Sequence, residues 1–375
     1  MSQADTESRR QEDLDAYHVI DCDCHYMESF HDVAEYMEEP WKTKFEGGNF
    51  DEKGAKQNLS SFFPFSTGDR QAHGKITREH SSYPDSPETP ERIREGMESI
   101  GVDETLLISH LILAGAGTIA DDTRQSAFAK AYVEYMSEEV LDPDDGIHGL
   151  APIPYYDVDA SMEILDRIED RDEYVGACFV TAGATPPLGN RKYDPIYERC
   201  EDMDLAAVFH TGGAGLDEYV RGGYEEMLET HTLGFLESNM SQIVSLVVQG
   251  VPEKFPDLNF TFLEAGLTWV PYMMFRLNKE YSIRRSEAPL LRKSPEEYIR
   301  EFYFSSQPLG EANDPGDMRQ LLDVLGPDSI VFSSDYPHWD FDHPEALDTY
   351  LRQTFSEEER RKVLSGNAME AFGLE

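Results

Sequence analysis

The sequence predicts an α/β fold: one (β/α)8 barrel domain over residues 17–375, behind a mobile acidic tail of residues 1–16. Three observations carry the prediction. Eight short apolar runs of strand length alternate with segments of helical period, the pattern of a parallel sheet wrapped by helices, and eight favours closure over an open sheet. No internal repeat and no Pro- or Ser-rich linker divides the chain. The two long connections, 40–90 and about 212–258, both follow the carboxyl end of a run, the face on which barrel active sites are built.

The first run, His18–His25, alternates, so Asp21, Asp23 and His25 share one face while Ile20, Cys22 and Cys24 share the other. The polar set belongs inside the barrel. The apolar and thiol set belongs against the helices, where Cys22 and Cys24 are packed and unreactive. An insertion over 40–90 follows, with aromatic islands such as Phe62-Phe63-Pro64-Phe65; a stretch of that length is a functional lid or an insertion rather than a plain connection. The second run is Glu104–His110, followed by a helical pattern over Arg124–Val140. The third and fourth, Ile147–Pro154 and Tyr174–Thr181, precede helical patterns at Ser161–Asp170 and Pro195–Met203. The fifth, Leu205–His210, opens the second long connection, whose long helix over His231–Gly250 forms a helical insertion after strand five. The sixth and seventh, Phe260–Ala265 and Glu301–Ser306, are followed by helical patterns at Trp269–Tyr281 and Asp317–Leu325. The eighth is Ser329–Asp335.

Composition removes several functions. Hydrophobic residues make up 39% of the 375, enough for a large core. Against 32 Lys and Arg stand 74 Asp and Glu, a net charge of −42 that repels phosphate backbones and anionic lipid heads, so neither nucleic acid nor a membrane is an expected partner. Lys is scarce beside Arg (11 against 21), and the acidic residues are spread along the whole chain, as expected of a protein kept soluble in a halophile's cytosol. No run reaches the ~18 apolar residues of a membrane span. Arg9-Arg10 is followed by Gln11-Glu12-Asp13 rather than an export signal, so a cytoplasmic location is expected. Four cysteines without a CxxC pair make no disulfide scaffold. There is no dinucleotide fingerprint, phosphate-binding Walker loop or GxSxG elbow.

The chemistry gathers at the run ends. Asp23-Cys24-His25 presents a carboxylate and an imidazole two residues apart on one face, a spacing that suits two ligands on one metal ion. Leu205–His210 ends in His, just before Thr211-Gly212-Gly213. Phe260–Glu264 ends in Glu, before Ala265-Gly266. Ile330–Asp335 ends in Asp, before Tyr336-Pro337-His338. Ionisable groups there cost desolvation energy unless a partner or a metal compensates. Each alone fits a paired polar residue at a loop edge equally well; four strands doing it together favour a shared site. His338, three residues past Asp335, either orients that carboxylate, touches substrate, or is satisfied by backbone. His110 has apolar surroundings through Leu113 and is read as structural, and His148 opens the third run, on the stability face. Gln307 follows the seventh run and is placed in the pocket lining. His73 and His80 lie in the insertion, and Arg221 is the nearest basic residue after His210.

These residues carry a resemblance. Val19–His25, Phe209-His210-Thr211-Gly212, Phe262–Gly266 with Trp269-Val270-Pro271, and Ser334–Trp339 resemble the amidohydrolase-related family. Within it they are similar to the branch holding aminocarboxymuconate-semialdehyde, resorcylate and carboxyvanillate decarboxylases. Gly366-Asn367-Ala368 and Phe372-Gly373-Leu374 resemble its closing helix, so the match spans about 18–374. The resemblance implies a TIM barrel, a possible homo-oligomer, and one divalent metal ion held by Asp23, His25, His210 and Asp335. Zinc or manganese is expected first, magnesium or iron after them. Two departures stand out: Asp23 where the family often has His, which favours harder ions, and Glu264 where the studied decarboxylases place a His. The implied activity on a small organic acid or ring compound is either non-oxidative decarboxylation, with Asp335 moving the proton, or hydrolysis, with Asp335 or Glu264 taking a proton from water. The rival expectation is a non-catalytic barrel kept as a binding or scaffold protein, which would let the ligand set decay.

Overall fold

The computed structural model describes residues 16–46, 89–115, 122–212 and 227–375. The acidic tail up to residue 15, most of the 40–90 insertion with His73 and His80, and Arg221 lie outside the described residues. Eight parallel strands follow one another in chain order: β1 Ile20–Tyr26, β2 Glu104–Ser109, β3 Ile147–Pro152, β4 Tyr174–Val180, β5 Ala206–His210, β6 Phe260–Phe262, β7 Tyr303–Ser305 and β8 Ile330–Val331. Each is followed by a long helix: α1 Pro90–Ile100, α2 Asp122–Glu139, α3 Val158–Ile168, α4 Asp194–Asp202, α5 Met227–Val248, α6 Val270–Arg284, α7 Pro315–Leu325 and α8 Pro344–Thr354. This is the expected (β/α)8 barrel.

The helices start where their sequences supply caps. Thr89, Asp157 and Asp314 accept backbone N–H bonds at the first turns of α1, α3 and α7, and Pro opens α1 and α7, where its missing N–H costs nothing. The strands hold their register through an aromatic ladder. Phe179, Phe209, Phe262 and Phe304 are paired in register across β4 to β7, with neighbouring rings stacked at 5.5, 4.9 and 5.6 Å. Each pair contributes about 0.5–1.5 kcal/mol beyond its buried area. A slip of one residue would turn every phenyl ring inward, so the ladder also fixes His210, next to Phe209, on the interior face.

Closure between β8 and β1 is made by few residues. Cys22 donates to the Phe332 carbonyl at 3.1 Å, Asp335 to Asp23 at 2.8 Å, and His25 to Tyr336 at 2.7 Å, all through backbone N–H groups. The buried Asp21 carboxylate accepts from the Ser334 backbone at 2.8 Å, from the Ser334 hydroxyl, and from the Asp23 backbone at 3.1 Å. Burial pushes this carboxyl up to about 7, against those hydrogen bonds. The eighth strand is shorter than the run that predicted it. It ends at Val331, and Asp335 stands beyond it with φ of 64°. The sixth strand likewise ends before Glu264, which has φ of 52°. Left-handed backbone breaks the ladder at both carboxylates and stores about 1 kcal/mol or more at each. Asn367, buried near the end of the chain, donates to the Pro327 and Ile330 carbonyls at 2.7 and 2.6 Å and pins β8 in place. All four cysteines are free and buried.

Candidate metal centre

The strand ends bring together five donors. Asp23, His25, His210 and Asp335 are at most 1% exposed, and Glu264 is 7% exposed. His25 Nε2 lies 3.4 Å from Asp23 Oδ1 and 2.9 Å from Asp335 Oδ1. His210 Nε2 lies 3.3 Å from Asp23 Oδ1 and 3.4 Å from Glu264 Oε2. Every site residue expected from the sequence is therefore at one place, Glu264 and His338 included.

The imidazoles are aimed. His210 Nδ1 faces the Thr211 carbonyl, which assigns its hydrogen to that nitrogen and leaves Nε2 to the centre. Asp335 is held on both oxygens: Oδ1 by His25 and by His338 Nδ1 at 2.6 Å, Oδ2 by the Gln307 amide at 3.1 Å. Of the alternatives for His338, this contact with Asp335 is the one that the first, orientation of the carboxylate, requires.

Electrostatics call for a cation. Burial alone would raise Asp23 and Asp335, but the imidazoles of His210 and His25 hold Asp23 below the usual carboxylate range, and those of His338 and His25 do the same for Asp335. Burial would lower His25, yet its bonds to Asp23 and Asp335 lift it to about 10. Glu264 is driven well above its ordinary value by burial, then by the charges of Asp335 and Asp23. The buried atoms Asp23 Oδ2 and His25 Nδ1 make no hydrogen bond. Such orphaned polar atoms are rare in folded proteins. The ligand atoms of Asp23, His25 and His210 fall within 4.8 Å of one another, as do those of Glu264, Asp335 and His338. The two groups are bridged by the His25–Asp335 and His210–Glu264 contacts, and their carboxylates and imidazoles are a donor set that fits a divalent metal ion.

The chain matches the Amidohydrolase family model over residues 20–374. It belongs to the amidohydrolase family. A gamma-resorcylate decarboxylase of a Polaromonas species is 25% identical to this amidohydrolase over 74% of this chain and 85% of that one. An amidohydrolase structure from Mycobacterium avium subsp. paratuberculosis superposes with a TM-score of 0.72 at 19% identity, covering 96% of this chain and 100% of the other. A dihydroxybenzoic acid decarboxylase from Polaromonas, solved with manganese and an inhibitor, superposes with a TM-score of 0.64 at 18% identity, covering 96% and 97%. A chain of this family with these relatives is a metal-dependent enzyme rather than a non-catalytic barrel.

Other groups of this amidohydrolase fall partly where the sequence put them. His148 lies low in the barrel, bonded to Glu104 Oε2 at 3.0 Å, as expected. His110 is less buried than its apolar neighbours suggested. It is only partly buried, and its ring stands at the mouth, 6.2 Å from His25 and 5.5 Å from His338. The cause is Glu28, a buried carboxylate past β1 that accepts from the Ser109 hydroxyl, from the His110 backbone at 3.1 Å and from the Leu111 backbone at 3.0 Å. It converts the end of the second run into a short helix, His110–Gly115, and turns the imidazole toward the centre. The sequence also gave no sign of Asp340, which has His231 Nε2 at 3.6 Å and a carboxyl raised by burial and by Asp335. Among the described residues no helix is long and apolar enough to cross a membrane.

Proposed function

We propose that this amidohydrolase is a decarboxylase of a small aromatic acid bearing an oxygen beside its carboxylate, with Asp23, His25, His210 and Asp335 as the ligands of one divalent ion. The observation that carries the reading is Asp335, ionised, held on both oxygens and hydrogen-bonded to the partly exposed His338. When bound, the ion supplies Lewis acidity to the acid's neighbouring oxygens. Manganese suits the carboxylate-rich set best and zinc next. Manganese is also the ion reported with the Polaromonas decarboxylase.

His338 passes a proton to Asp335 across their 2.6 Å contact, and Asp335 passes it to the ring carbon that carries the carboxylate. That carbon becomes tetrahedral. Its bond to the carboxylate then breaks, the electron pair returns to the ring, and carbon dioxide leaves. Gln307 keeps Asp335 pointing at one place throughout. Apolar residues near the ends of β2, β3 and β4, including Ile108, Leu150, Pro152 and Val180, line a hollow that suits a ring better than a polar chain.

The relatives' substrate type supplies the trial: 2,6-dihydroxybenzoate given to the manganese-loaded protein in ¹⁸O-labelled heavy water. Carbon dioxide release with deuterium at the former carboxyl carbon is expected. No carbon dioxide from this acid, with ¹⁸O entering the ring-opened product of an aryl lactone offered in parallel, would show hydrolysis and overturn the reading.

A further inference from the structure

The end of β2 provides a second polar contact beside the metal donors. The nitrogens of His110, His25 and His338 fall within 4.8 Å of one another. His25 and His338 both point at Asp335, whereas the ring of His110 makes no hydrogen bond to any described residue. Its backbone is nonetheless fixed, because Glu28 takes the N–H groups of His110 and Leu111 at 3.1 and 3.0 Å. A buried carboxylate spent on holding one turn of chain gives the imidazole a defined position at the mouth. Next to it, Ile108, Ile112, Leu113, Leu150, Pro152 and Val180 line an apolar hollow. That hollow lies by the centre: Val180 is the register partner of His210.

We propose that His110 is a specificity-determining residue that hydrogen-bonds a ring hydroxyl or carbonyl oxygen of the substrate, while the apolar hollow receives the bare edge of the same ring. This rests on the aromatic-acid reading above. Polar contact and half of the named wall, Ile108, Ile112 and Leu113, come from one segment, 108–113, so a ring seated on the wall presents an oxygen to the imidazole. A site built to bond an oxygen discriminates strongly against the analogue that lacks it.

The test compares the full, manganese-loaded wild type with His110→Ala and His110→Asn. The probes are 2-nitrophenol and 2-nitrobenzene-1,3-diol, coloured compounds that differ by one ring hydroxyl and have no carboxylate to lose. Affinity is read from absorbance and metal content by elemental analysis. His110→Ala should weaken the diol about tenfold or more, the equivalent of one hydrogen bond. It should shift 2-nitrophenol less than twofold and leave one ion per chain, with partial recovery in His110→Asn. Equal losses on both probes, no loss on either, or loss of the ion in His110→Ala would each overturn the assignment of His110. A wild type that binds neither probe would instead overturn the aromatic-acid reading, and this inference with it.

Discussion

Glu28 gives the sharpest stability prediction. The group is buried, and burial pushes its carboxyl from 4.5 up to about 7, although the Ser109 hydroxyl and three backbone N–H groups, its own among them, pull the other way. In the unfolded chain it returns to its ordinary value. Below about pH 4.5 it is neutral in both states, and its contribution to stability is complete. As pH rises the unfolded chain ionises first, so stability drains away until the folded group ionises too, near pH 7. The gap between 4.5 and about 7, at about 1.4 kcal/mol per pH unit, gives a loss of roughly 2–3 kcal/mol between pH 5 and pH 8. Glu28→Gln removes that dependence. It also leaves one backbone N–H facing an amide donor, a constant cost of about 1–3 kcal/mol. Urea unfolding of both proteins at pH 5, 6, 7 and 8 isolates the effect, because every other titrating group cancels in the difference. The wild type should lose about 2–3 kcal/mol relative to the variant across that range. A difference that stays flat within 1 kcal/mol, or runs the other way, refutes the reasoning.

Three further outcomes are expected. His210→Ala should retain less than a tenth of the divalent ion, by elemental analysis after dialysis; a full complement would remove His210 from the donor set. Gln307→Leu frees Asp335 Oδ2 and should lower kcat about tenfold or more while the ion stays, since a hydrogen bond to a charged group is worth about 1.5–3 kcal/mol; an unchanged kcat would show that the amide does no positioning. A thiol reagent added to the native protein should find none of Cys22, Cys24, Cys178 and Cys200 within minutes, because burial raises all four thiols. Rapid labelling of one equivalent would contradict their packing.

The barrel was legible because most of its strands are buried on both faces and read as short, largely apolar runs between helical segments. Phe209 and His210 show how much a single pair of neighbours conveys, one fixing the outer ladder and the other facing the centre. Asp23 and His25 were legible for the same reason, through the two-residue repeat. The backbone at Glu264 and Asp335 was not, because its left-handed turns occur at residues with ordinary side chains, and no Gly or Asn marks them. The position of the His110 ring beside His25 and His338 was not legible, because Glu28, which holds its backbone, lies 82 residues earlier. His231 and Asp340 met for the same kind of reason, through folding rather than local pattern. A run of side chains records its own period, and it does not record a partner from another turn of the barrel.

The seam between β1 and β8 has a consequence for the order of events during synthesis. Asp21 and Ser334, which close it, are 313 residues apart, and Asp23 and Asp335 flank that same contact. A nascent chain that has not yet released its last strand from the ribosome has neither a closed barrel nor a complete set of donors. With the ligands proposed above, a chain stalled short of Asp335 would have only Asp23, His25 and His210 with which to compete for the cell's metal.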